Sequence, residues 1–189
     1  MTPRSLELDA PADNVVLLDA DGAPIGEVAR ADVHSRHTPL HLAFSCYVTN
    51  DAGELLLTRR ALSKRTWPGV WTNSCCGHPR PGEDMHDAIR RRLDDELRLT
   101  VGELECVLPD FAYTATDASG IVENEICPVF SAPATHPTFE VLPNPDEVMD
   151  WKWVKWDDLA TSARLTPFVF SPWAVQQISL LDALNRRGG

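Results

Sequence analysis

The stretch GHPRPGEDMHDAIRRRLDDELR, residues 77–98, joins a glycine-opened loop to a helix. Its apolar residues Met85, Ala88, Ile89, Leu93 and Leu97 recur every three or four positions, the period of one helix face, and charged residues crowd the opposite face. Upstream, residues 67–82 mix Trp, Gly, Asn, Cys, His and Pro without a regular period, which predicts a long loop of the kind that carries function. Before it, His41 to Val48 reads as a core strand, Asn50 to Gly53 as a turn, and Glu54 to Thr58 as the returning strand. Val15–Leu18 and Ile25–Val28 flank Asp21-Gly22 as a small hairpin, and residues 30–40 show neither period. Downstream, Val107–Thr114 and Ile121–Phe130 read as strands about the turn Asp117–Gly120, and Val148–Trp156 as a further strand. Trp156–Arg164 and Pro172–Asn185 read as helices, the second with Ser171 as N-cap and Pro172 at its first position. Many strands and few helices, without βαβ alternation, predict an α+β fold.

With 189 residues the chain can bury a substantial core in one domain. Residues 1–13, polar with two prolines, are expected to be loosely ordered, and residues 14–189 to form a single compact domain. Lys and Arg number 17 against 28 Asp and Glu, a net charge of −11, which argues against a phosphate-tracking nucleic-acid surface. An anionic ligand would have to be met by locally concentrated Arg, Lys or metal ions. No apolar run nears the length of a membrane span, and the N-terminus resembles neither a signal nor a transit peptide. The five cysteines are odd in number, lack a C-x-x-C pair and include the adjacent Cys75-Cys76, so reduced thiols and a cytoplasmic location are expected. No nucleic-acid or membrane partner is expected, and the chain is expected to be a monomer or weak homo-oligomer.

Five features bear on chemistry. Glu123 and Glu125 share one face of a strand, close enough to hold one cation; a solvated strand face is the alternative. His34, His41 and His78 fit no local metal motif, so a shared site must be built by tertiary structure. Brought together with the two glutamates they would make an N/O donor set suited to Zn, Mn or Mg; the alternative is that each is a surface or satisfied core histidine. His37, His86 and His136 read as surface or satisfied core residues. Cys76-Gly77-His78 sets a thiol beside a histidine in a glycine loop, where it can be activated, although most free cysteines are buried and inert, as Cys46, Cys75, Cys106 and Cys127 are read. Asp94, Asp95 and Glu96 can hold Mg²⁺ against phosphate oxygens, or serve a surface helix through the i,i+4 pairs Asp87–Arg91, Arg91–Asp95 and Arg92–Glu96. Thr58 to Lys64 places a basic cluster after a strand, a phosphate cradle or a solvated turn.

Residues 77–99 resemble a degenerate Nudix box, G-x5-E-x7-R-E-U-x-E-E-x-G-U with U aliphatic, on Gly77, Glu83 and Arg91. The chain departs from it at Arg92, where hydrolases carry a metal-binding acid, at Asp95, and at Arg98, where glycine is usual. The more extensive resemblance is to the type I isopentenyl-diphosphate isomerases. It is carried by Thr38–Phe44, Thr58–Lys64, Trp67–Ser74, Cys76–Pro79, Ser119–Phe130 and Ser171–Trp173, from about residue 30 to 175. It implies a Nudix-like mixed sheet flanked by helices, and conversion of isopentenyl to dimethylallyl diphosphate. It implies Cys76 and Glu125 as the opposed acid and base, with Tyr113 near the carboxylate. It implies a divalent Mn, Mg or Zn site on His34, His41, His78, Glu123 and Glu125. A second Mg²⁺, arriving with the diphosphate, would fall on Glu96 and the carbonyl of Cys76. Arg30, Arg60 and Lys64 would hold the prenyl diphosphate, and Trp173 would cover the reacting carbon. The alternative is a Nudix-type diphosphohydrolase, which keeps Mg²⁺ and diphosphate but uses water.

Overall fold

Asp84 starts the central helix, α2 (Met85–Leu97), by accepting hydrogen bonds from the backbone N–H groups of His86 and Asp87. Arg98 ends it in the left-handed conformation (φ 52°), returning its N–H to the carbonyls of Leu93 and Asp94. This is the place where the resembled motif has glycine, and here an arginine takes the glycine conformation. Ile89, Leu93 and Leu97 are fully buried, each contributing about 1.5–3 kcal/mol relative to exposure.

The computed structural model describes residues 13–135 and 140–188. The expected looseness of residues 1–13 therefore lies, apart from Asp13, outside the described residues, as does His136. The chain forms β1 (Asn14–Leu18), β2 (Pro24–Ala29), the short helix α1 (Arg30–Val33), β3 (His41–Leu42), β4 (Phe44–Thr49) and β5 (Leu55–Arg60). It continues with β6 (Trp71–Thr72), β7 (Cys75–Gly77), α2, β8 (Glu105–Leu108), β9 (Ala112–Thr116), β10 (Val122–Ile126) and β11 (Val129–Pro133). It ends with β12 (Val148–Val154), α3 (Trp156–Leu165) and α4 (Pro172–Gly188). One sheet runs β2-β1-β3-β10-β9; the other runs β12-β5-β4-β11-β8, with β6 on β5 and β7 on β4. Both are mixed, since β3–β10 and β4–β11 pair parallel and their neighbours antiparallel.

Three expected strands each divide in two. Residues 41–49, 105–116 and 122–133 pass from one sheet into the other, bending near Ala43, Pro109–Phe111 and Cys127-Pro128. Pro128 has no N–H to give the ladder, which suits a bend rather than a strand interior. Backbone hydrogen bonds cross the bend from Ala43 to Ile126, Ser45 to Pro128 and Cys127 to Phe111. The pairing offset is the same on both sides, Glu125 opposite His41 before the bend and Val129 opposite Ser45 after it. The expected 50–53 hairpin also splays: β4 and β5 pair only at Thr49 and Leu55, while the loop of residues 67–82 sends β6 onto β5 and β7 onto β4.

β4 is buried on both faces. Phe44, Cys46 and Val48 pack with Ile89, Leu93 and Leu97 of α2, whereas Tyr47 packs with Leu159 of α3 and Trp173 and Ile178 of α4. Helices on both faces of one sheet explain why this strand reads as nearly continuous apolar sequence. Among the described residues, no helix is long and apolar enough to cross a membrane.

Candidate active site

The bend positions the site. His41 and Glu125 are partners immediately before it, and Ser45 and Cys76 are partners immediately after it. Tyr113 lies opposite Glu125 on β9. A cleft of about 320 Å³ opens here, and its walls include Cys76, His34, His78, Glu123, Glu125, Tyr113 and Trp173. Arg30, Arg60, Lys64, Arg65, Arg91 and Arg92 add positive charge to the same walls. This concentrates cations locally in a chain of net charge −11.

Ring or carboxylate atoms of His34, His41, His78 and Glu125 lie within 4.8 Å of one another. Oε1 of Glu125 is 3.3 Å from Nε2 of His41 and 3.2 Å from Nε2 of His78. Glu123 reaches the cluster through His34, with Oε2 2.7 Å from Nε2. Nε2 of His34, Nε2 of His41 and Oε2 of Glu123 are buried without a hydrogen bond. His41 donates its Nδ1–H to the carbonyl of Pro39 at 2.9 Å, which turns Nε2 toward the cluster. Buried nitrogen and carboxylate donors that converge yet lack hydrogen bonds suit a divalent cation. Burial would raise the proton affinity of Glu125, but His41 and His78 outweigh it and hold the carboxyl well below the usual carboxylate range.

The thiol of Cys76 donates to Oδ1 of Asn73 at 3.0 Å and lies 3.3 Å from Oγ of Ser45. Ser45 is held in turn by Gln177, and Gln177 by Tyr47. Burial pushes the Cys76 thiol up to about 11, although its hydrogen bonds to Ser45 and Asn73 oppose the rise. Oδ1 of Asn73 also accepts from the indole of Trp173 at 3.2 Å, so one buried amide orients thiol and aromatic together. Trp173 packs on Tyr113 with ring centroids 5.6 Å apart and carries the Arg60 guanidinium 5.4 Å from its ring centre.

The basic residues are held in several ways. Arg60 donates to the carbonyls of Thr66 and Trp67, and Arg30 pairs with Asp13 at 2.6 Å. Lys64 is paired with Glu147. Arg92 binds Glu96 and lies 3.4 Å from Glu147, giving a chain Lys64–Glu147–Arg92–Glu96. Glu96 is not among the cleft-lining residues and sits behind Arg92. Arg91 departs from the helix pairing expected with Asp87: it takes Glu83 in two bonds of 2.7 and 2.8 Å, and keeps Asp95 at 4.0 Å. Sequence reasoning missed Thr66, Asn73, Ser45, Gln177 and Glu147; it paired Arg92 with Glu96, as the structure does, but not with Glu147. The aperiodic loop containing Asn73 was the one signal available.

Residues 39–174 match the NUDIX domain family. An isopentenyl-diphosphate Delta-isomerase of Frankia alni is 57% identical over 167 residues, covering 88% of this chain and 84% of its own length. One from Mycolicibacterium vanbaalenii is 54% identical, with 91% and 93% covered. The chain belongs to the isopentenyl-diphosphate Delta-isomerase family, within the NUDIX fold. Among solved structures, DR0079 from Deinococcus radiodurans superposes with a TM-score of 0.64 at 18% identity, covering 88% of this chain and 97% of its own. The MutT protein from Methanosarcina mazei gives 0.57 at 16% identity, covering 78% and 96%. These two likenesses concern the fold alone. In this isomerase-family chain, the helix of the NUDIX motif carries Arg92 bound to Glu96.

Proposed function

We propose that this chain interconverts isopentenyl and dimethylallyl diphosphate, with Cys76 and Glu125 as the proton-transferring pair. The observation that carries the reading is that a thiol, a buried carboxylate and a tryptophan line one small cleft with a basic rim. Moving the double bond requires a proton at one end of an unactivated alkene and removal of another across the allylic unit. The fleeting species is a tertiary cation. Because the reaction is reversible, each group gives a proton in one direction and takes one in the other. The cleft must keep water from that cation. Trp173 offers a π face worth about 2 kcal/mol to a desolvated cation. Arg60, Lys64 and Arg30 grip the diphosphate and so position a five-carbon tail that has no polar handle.

The donor set fits a divalent ion, Mn²⁺, Mg²⁺ or Zn²⁺, on His34, His41, His78, Glu123 and Glu125; a second Mg²⁺ on Glu96 and the Cys76 carbonyl would have to displace Arg92 from Glu96. A bound ion supplies positive charge that orients Glu125 and lowers its affinity for protons. The prenyl diphosphate is the small-molecule partner, and the chain acts in the cytoplasm as a monomer or weak homo-oligomer. Against the hydrolase, a guanidinium stands at position 92, where the resembled motif carries a metal-binding acid.

The test is isomerisation in heavy water with and without chelator. Deuterium should enter the product, and chelation should stop it. Cys76→Ala should lower turnover at least about a hundredfold, the usual share of a general acid or base. Unimpaired turnover in that variant, or phosphate release without double-bond migration, overturns the reading.

A further inference from the structure

One side chain joins the basic rim of the cleft to its histidine cluster. Thr66, buried in the segment after β5, places its hydroxyl 2.7 Å from Oε1 of Glu123 and 3.2 Å from Nη2 of Arg60. A guanidinium cannot accept a hydrogen bond, so the single hydroxyl proton goes to Glu123 and Arg60 donates to the oxygen. The carbonyl of Thr66 accepts from Nε and Nη2 of Arg60 at 3.1 and 2.8 Å. The chain leaves through Trp67 in the left-handed region (φ 43°), which costs a non-glycine residue on the order of 1–3 kcal/mol. Trp67 is held there edge-on to Trp173, with ring centroids 5.5 Å apart.

Glu123 therefore divides its labour. Oε1 is tied to Thr66, while Oε2 lies buried, without a hydrogen bond, 2.7 Å from Nε2 of His34. We infer that Thr66 is a positioning residue for the metal cluster, its hydroxyl fixing Glu123 so that one oxygen faces the ion. This rests on the metal site of the proposed function. Arg60 would feel the loss of the hydroxyl less than Glu123, because its two bonds to the Thr66 carbonyl survive a side-chain change.

The experiment strips the full-length chain of metal and titrates it with Mn²⁺, reading the free ion by electron paramagnetic resonance. Thr66→Val keeps the side-chain shape and removes the hydroxyl; Thr66→Ser keeps the hydroxyl. The valine variant should bind Mn²⁺ about tenfold or more weakly, as expected when an outer partner of a ligand is lost, and the serine variant should restore most of that affinity. Excess Mn²⁺ should return the valine variant's turnover, with little change in KM. Circular dichroism checks that the metal-free valine variant is folded, and Thr66→Ala makes the same comparison if it is not. Equal Mn²⁺ affinity in wild type and the hydroxyl-free variant overturns this inference and leaves the isomerase reading standing. Turnover that excess Mn²⁺ does not return also overturns it, by showing a purely structural role. A wild-type chain that binds no Mn²⁺ overturns both the inference and the metal site beneath it.

Discussion

Replacing Arg92 with methionine tests the four-charge chain that backs the cleft. Methionine keeps the stem that packs near Gly77 and removes only the cation. Arg92, Glu96 and Glu147 have side chains just 13%, 9% and 17% exposed, so the carboxylates cannot turn to water without rearrangement. Breaking a buried pair by deleting one partner costs about 3–5 kcal/mol. Glu147 keeps Lys64, so the penalty falls mainly on Glu96, and the lower end of that range, about 3 kcal/mol, is expected. With a urea slope of about 2 kcal/mol per molar, the unfolding midpoint should fall by roughly 1.5 M. Equilibrium unfolding followed by tryptophan fluorescence measures it. Millimolar Mg²⁺ should recover part of the loss in the variant, because Glu96 is left without its cation. A midpoint shift under about 0.5 M, or none with Mg²⁺, would refute the claim that Arg92 neutralises these acids.

Two further outcomes concern the same region. Adding Mn²⁺ to metal-free protein at about a hundred times its dissociation constant should stabilise the fold by roughly 2.7 kcal/mol, read as a melting point about 5–10 °C higher; an unchanged melting curve would remove the cluster from consideration as a metal site. Gly77→Ala places a new methyl 2.9 Å from Cγ of Arg92 and 3.1 Å from the ring of Phe44, and overpacking of that kind costs about 1–3 kcal/mol in chemical denaturation. A neutral result would mean that α2 can move away from β7.

What could be read from the sequence was what depends on neighbours along the chain. The Ser171 cap, the three-and-four spacing through Leu97, and Asp117 bonded to its own turn are local signals, and each lies where it was expected. The bends were not legible, because a strand that changes sheets keeps its alternation while its partners change around it. His41–Val48 therefore read as one strand although His41 and Phe44 serve different sheets. The buried polar groups failed for a related reason. Thr66, Asn73 and Gln177 have no local pattern, and their roles come from residues 57, 100 and 132 positions away. Arg91 shows the competition directly: its spacing from Asp87 allowed a helix pair, but Glu83 offered two bonds.

The shared offset through the bend makes the two parallel ribbons work as a caliper. One jaw ends in His41 and Glu125, the other in Ser45 beside Cys76, and only Cys127-Pro128 and Ala43 set the gap. A single residue inserted between Ile126 and Val129 leaves both jaws able to form but not at the same opening, because a one-residue slip turns every side chain to the opposite face. Length in those few positions is thus held more tightly than composition, and a homologous chain can change its side chains there far more freely than its spacing.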